Sequence, residues 1–217
     1  MLVGCDTLSM WPDREDTELL ISAAREGDDG AINQLLDRHR TSVRRMIDLR
    51  MDQMIKRRVD ASDIVQEVMI EANRRLSDYL ANPVMPFHLW LRQMAKDRLI
   101  DAHRRHRGAA RRSLDREQPL ASAASNESSF DLLTQLSDQE LTPAAAATWQ
   151  ELQLRFQQAC GQLEELDQEI VYLRHFEHLS NSESAQALDL SPQAASMRYL
   201  RAMRRLRELM DGSDKSP

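Results

Sequence analysis

Apolar positions recur at helical spacing along most of this chain, and they gather into two blocks. In the first block, Leu19, Leu20 and Ala23 open the pattern, Ile32, Leu35 and Leu36 continue it, and Val43, Met46 and Ile47 extend it. This spacing predicts successive amphipathic helices. Gly27 and Gly30 mark a break between helices. Asp60-Ala-Ser-Asp63 supplies carboxylates suited to capping a new helix, whose stripe is Ile64, Val65, Val68, Met69, Ala72 and Leu76. Ala81-Asn-Pro-Val-Met-Pro86 must then be a loop, because its two prolines cannot sit inside a helix. The next helix has Phe87, Trp90, Leu91, Met94, Ala95, Leu99 and Ala102 as its buried stripe, which leaves Arg92, Lys96, Arg104 and Arg107 on other faces.

The pattern lapses from residue 108 to residue 148, where Ala, Ser, Gln and acids dominate and Pro119 and Pro143 interrupt. A linker is expected there, with Phe130, Leu132, Leu133 and Leu136 forming a docking turn or brief helix within it. The second block begins with Leu152, Phe156, Ala159, Leu163 and Leu166 as one helix and Ile170, Val171, Leu173 and Phe176 as another. Ser180-Asn-Ser-Glu183 has the form of a capping box and leads into a short helix with Ala185 and Leu188. Asp189, Leu190 and Ser191 make a tight turn, and Ser191-Pro192 starts a final helix that buries Ala195, Tyr199, Ala202, Leu206 and Leu209. The expected organisation is all-α: a flexible tail over 1–15, a helical domain over 16–107, the linker, a second helical domain over 149–211 and a tail over 212–217. Met10 is an alternative start, since the first residues show no helical pattern.

Composition agrees with helices, at 5% aromatic residues and only 6 Gly. The net charge of -6 at first argues against a nucleic-acid partner. Its distribution reverses that reading, because cations cluster from Arg92 to Arg112 and again at Arg198, Arg201, Arg204, Arg205 and Arg207. Acids gather elsewhere, at Asp115, Glu117, Glu127, Asp131, Asp138 and Glu140 and at Glu164, Glu165, Asp167 and Glu169. Cys5 and Cys160 share no paired spacing, so neither a disulfide framework nor a cysteine zinc site is indicated, and a reducing cytoplasm is the expected location. No basic start or apolar run makes Leu2 to Cys5 an export signal, and no apolar stretch is long enough to span a bilayer.

A short helix, a turn and a longer basic helix describe a helix-turn-helix, whose second helix enters the DNA major groove. Its candidate contacts are Gln193, Ser196, Met197 and Arg198, with Arg201, Arg204 and Arg205 further along. Glutamine suits adenine edges and arginine suits guanine edges or phosphates. His103 with His106 and His175 with His178 each share a helix face, but neither pair has a third convergent ligand, so no metal is expected. No phosphate loop, nucleophile elbow or zinc-protease signature is present, and no cofactor or catalysis by this chain is expected.

Asp60-Ala-Ser-Asp-Ile-Val-Gln-Glu67 resembles the Asp-Ala-Glu-Asp-Leu-Val-Gln-Glu signature of bacterial RNA polymerase sigma factors of the extracytoplasmic-function class. Phe87, Trp90-Leu91, Ala95, Asp101 and Arg104 resemble the promoter-melting helix of that family, with Lys96 in place of a common Asn. Leu166, Asp167, Glu169, Leu173-Arg174, Leu179-Ser180, Glu183, Ala185, Leu188, Ser191, Arg198, Arg201-Ala202 and Leu206-Arg207 resemble its promoter-binding helix-turn-helix. There Asp167 replaces a frequent Pro, Ser184 a frequent Ile and Asp189 a frequent Gly.

The resemblance implies a sigma factor that binds core RNA polymerase through its β′ clamp and β flap, reads two promoter elements and stabilises the melted strand. It places polymerase docking at Asp60, Asp63, Gln66 and Glu67, and minus-ten recognition and melting at Asn82, Trp90, Arg92, Lys96, Arg98 and Arg104. Minus-thirty-five recognition falls to the helix-turn-helix residues named above. Promoter DNA and an anti-sigma factor are the further partners it implies. Two other readings use the same elements: a stand-alone helix-turn-helix regulator, and a protein-binding helical adaptor without promoter activity.

Overall fold

The computed structural model describes residues 10–51, 56, 58–113, 151, 155, 156 and 158–212. Most of the expected linker, with Phe130, Leu132, Leu133 and Leu136, lies outside the described residues, as do 1–9, Leu152 and 213–217. All regular structure among the described residues is helical, the class read from the sequence. The described residues fall into two compact units, 11–113 and 151–212.

In the first unit, helix α1 (Arg14–Arg25) is capped by Asp13, whose carboxylate accepts from the Glu15 amide at 2.6 Å. Its buried residues are Thr17, Ile21 and Ala24, not the expected stripe of Leu19, Leu20 and Ala23. Leu19, Leu20 and Ile21 are consecutive, so any of the three can lead an apolar stripe, and packing against the next helix selects Ile21 while Leu19 stays exposed. Trp11, ahead of α1, is already buried beside His88 at a ring separation of 5.8 Å. Packed structure therefore starts before residue 16.

Gly27, at φ +91°, turns the chain into α2 (Asp29–Arg50). Asp28 caps that helix by accepting from the amides of Gly30 and Ala31, so Gly30 belongs to its first turn and not to the break. Helices α3 (Ala61–Ala81) and α4 (Phe87–Ser113) complete the unit and pack on α2 and on each other. Leu35, Val43, Met46, Ile47, Val68, Leu76, Phe87 and Leu91 fill the space between them. Helix α4 continues past Arg107 through Gly108, because the residues that follow, Ala109 to Arg112, favour helix.

In the second unit, Ala159 and Cys160 lie on a helical stretch that precedes α5 (Glu165–Val171). Leu166, assigned by spacing to the earlier stretch, belongs to α5 and is exposed. A π-helical turn (Tyr172–Phe176) extends α5, and then come α6 (Asn181–Ala187) and α7 (Pro192–Gly212). Ile170, Val171, Ala185, Ala195, Ala202 and Leu206 form their shared core with Cys160, whose thiol is pushed up to about 12 by burial.

Candidate nucleic-acid and partner interfaces

The first candidate face lies on α3. Asp60 is its N-cap: the carboxylate accepts from the Ser62 amide at 2.8 Å, and that hydrogen bond holds it below the usual carboxylate range. With Ile64, Val65, Val68 and Met69 buried, Asp63 and Gln66 are left exposed and Glu67 half-buried on the outer side. Ile70 extends this face. It is 62% exposed although large and aliphatic, and it stands seven residues after Asp63, so it shares the same stripe. Ile70 was not among the candidates read from the sequence, and its offset from the Ile64 stripe is the signal that could have flagged it.

Along its flank, α3 is joined to α4 by ion pairs. Glu67 meets Arg105 at 3.5 Å, and the carboxylate of Glu71 gathers Arg74 at 2.8 Å, Arg75 at 2.5 Å and Arg98 at 3.5 Å. Glu71 is buried, and hydrogen bonding from Arg74 is the main reason its carboxyl stays below the usual range. Sequence reasoning missed this carboxylate, because its partners come from two helices.

The second candidate face comprises the loop after α3 and the start of α4. Asn82 ends α3 in an exposed position, and Val84 beyond it is exposed too. Beneath the loop, the Tyr79 hydroxyl donates to the Met85 carbonyl at 2.9 Å, and the Pro86 carbonyl accepts from the amides of Leu89 and Trp90. Trp90 is half-buried, with its ring 4.7 Å from Tyr79 and 5.5 Å from Phe87. With Tyr79 and Phe87 it forms an aromatic cluster beside the loop.

The cations expected to hold a strand do not form one face. Arg92 is 2% exposed, a correction to its expected place on an outer side of α4: it falls next to Leu91 and one turn from the buried Leu89 and Ala95, within the packed sector. Arg98 leans on Glu71 of α3, and Lys96 is half-buried. Arg104 is exposed and lines a groove between α3 and α4 with Glu67, Ile70 and Asp101.

The third face belongs to the second unit. Ser180 and Glu183 form the expected capping box at the start of α6, with the Ser180 oxygen accepting from the Glu183 amide and the Glu183 carboxylate accepting from the Ser180 amide. The turn after α6 closes in a Schellman arrangement: the Leu190 amide donates to the Ala185 carbonyl at 2.9 Å and the Asp189 amide to the Gln186 carbonyl at 3.3 Å. Asp189 occupies the left-handed position at φ 55°, where glycine is the usual residue, so its departure from the family pattern keeps the turn but strains it. Asn181 then ties the two helices together by donating to the Pro192 carbonyl at 2.8 Å, and Ser191 caps α7 by accepting from the Ala194 amide.

On α7, Gln193, Met197, Arg201 and Arg205 are exposed and Ser196 is half-buried. Arg198, expected at a base edge, is paired within its own unit. Its side chain is 20% exposed and its Nη1 lies 2.6 Å from Asp167 Oδ1, with Glu164 at 3.8 Å. The acid that replaces a frequent proline therefore turns this arginine inward, onto α5. His175 faces the same helix and shares a hydrogen bond of 2.8 Å with the Tyr199 hydroxyl, and burial lowers its pKa.

Together, a short capped helix, a strained tight turn and a long basic helix define a helix-turn-helix DNA-binding protein, here joined to a second helical unit. A family model described as "ECF sigma factor" matches residues 14–211, and the chain belongs to that family. It is a sigma factor, which binds RNA polymerase and directs transcription from promoter DNA. The structure of CnrH in complex with the cytosolic domain of CnrY is similar, at 21% identity and a TM-score of 0.54, over 90% of this chain and 97% of that one. A co-crystal structure of the sigma factor RpoE with the anti-sigma factor NepR from Bartonella quintana gives 15% identity and a TM-score of 0.47, over 91% and 95%. Comparison with curated protein sequences gave no match.

Proposed function

We propose that Asp63, Gln66, Glu67 and Ile70 form the surface that docks on the β′ clamp of core polymerase. The observation that carries this reading is the exposed α3 face itself: an acid, an amide and a bare aliphatic side chain aligned on the helix that bears the family signature. Asn82 and the half-buried Trp90 receive an extruded base of the melted minus-ten strand, with a polar edge and an aromatic platform, and the exposed Arg104, about 21 Å further along α4, holds the strand's backbone. Helix α7 reads the minus-thirty-five element in the major groove. The β flap, and an anti-sigma factor as a regulator, complete the partners that family membership brings, and the cytoplasm is where all of them meet. Among the described residues no helix is long and apolar enough to cross a membrane.

Binding of the purified full chain to core polymerase tests the docking face. Gln66→Lys combined with Ile70→Lys changes two outward residues without touching a cap or the Glu71 ion pairs, and the like charge it presents to a basic clamp should weaken association by about tenfold or more. Unchanged affinity, with helicity preserved by circular dichroism, places docking elsewhere.

A further inference from the structure

Helix α7 carries an exposed stripe that is not uniformly cationic. Gln193, Met197, Leu200, Arg204 and Arg207 follow at the offsets of a single helix face, and all are exposed. The opposite side, with Ala195, Ala202 and Leu206, is buried in the core of the unit. Met197 and Leu200 are each 56% exposed, in the middle of the stripe and beside the guanidinium groups of Arg201, Arg204 and Arg205. Single exposed apolar residues are ordinary, but two neighbours on the basic face of a groove-entering helix face a defined surface.

Charge decides what that surface is. The arginines around the pair complement a polyanion, and the duplex major groove offers an apolar feature of matching size, the C5 methyl of thymine. Three residues of helix advance about 4.5 Å, close to the roughly 3.4 Å rise of a base pair, so the two tips reach successive pairs. Arg198, the guanidinium nearest the start of the stripe, is held inward by Asp167. On the stripe itself the side chains there are an amide, a thioether and an isobutyl group, which favour A·T over G·C.

We infer that Met197 and Leu200 are specificity-determining residues that read the methyl groups of two successive thymines in the upstream promoter element. Gln193 lies on the N-terminal side of the pair and contacts an adenine edge; Arg204 and Arg207 follow it and contact phosphate. The inference rests on the reading of α7 as the upstream recognition helix and deepens it.

The test uses holoenzyme made from the full chain and core polymerase, on the promoter fragment that it protects in a footprint. Replacing thymine by deoxyuridine in the upstream protected element deletes only the methyl groups. Wild-type affinity should fall about three- to tenfold. Met197→Ala with Leu200→Ala should lose a similar factor on the thymine template and show no further loss on deoxyuridine, whereas Arg204→Ala should weaken binding to both templates alike. A wild-type holoenzyme indifferent to deoxyuridine, or a double variant as sensitive to it as wild type, overturns the inference. If deoxyuridine has no effect while the double variant loses affinity for a protein regulator, the pair belongs to that partner. If no fragment is protected at all, the promoter-reading function of α7 fails first and this inference with it.

Discussion

His39 packs its ring edge against Phe87 at 5.0 Å and shares a 2.9 Å hydrogen bond between its Nδ1 and the Leu35 carbonyl. Burial is the main cause that lowers its pKa from 6.5 to about 4, helped by the nearby His88 and Arg38. The folded protein therefore keeps this imidazole neutral at a pH where the unfolded chain protonates it. Its contribution is fully present above pH 6.5 and is lost as pH falls toward about 4, about 3 kcal/mol over that window. Denaturant titrations of the full chain from neutral pH to pH 4 should show this slope, and His39→Gln should flatten it; an unaltered slope assigns the acid sensitivity to other groups. Single residues with local partners were legible in advance: Asp60, Ser180, Glu183 and Ser191 cap as their spacing requires, because each reaches an amide within three residues. Arg92 and Arg198 were not, because the sequence displays their charge but not the distant surroundings that bury or pair it. Asp167 lies 31 positions from Arg198.

At the level of elements, the Asp167–Arg198 pair ties α5 to α7 and so sets where the recognition helix sits on its domain. Both side chains are about one-fifth exposed, which makes the pair stronger than a surface contact and costly to break from one side. Arg198→Ala should destabilise the second unit by about 1–3 kcal/mol, and Asp167→Ala should cost little more once Arg198 is gone. A double-mutant cycle on thermal unfolding measures this directly. Full stability of Arg198→Ala, combined with a loss of promoter affinity, would return the arginine to the DNA face. Helix existence and order were readable from period and punctuation, as with the prolines that separate α3 from α4 and the capping box that opens α6. Register was harder wherever apolar residues adjoin. Leu19 to Ile21 in α1 and Leu166 in α5 satisfy more than one stripe, and tertiary packing chooses among them.

Across the whole molecule, an acidic protein of net charge -6 keeps its cations on separate helices, some of them held by internal acids: Arg98 by Glu71, Arg105 by Glu67, Arg198 by Asp167. A net negative charge opposes long-range attraction of such a chain to DNA by itself. The measurement that bears most directly on this account is run-off transcription from genomic fragments by purified core polymerase, with and without the full chain. Discrete starts that appear only when the chain is added, and that fade with the Gln66→Lys, Ile70→Lys variant, are the predicted result. A pattern of transcripts that the chain leaves unchanged, although it is folded and present in excess over core, would contradict it.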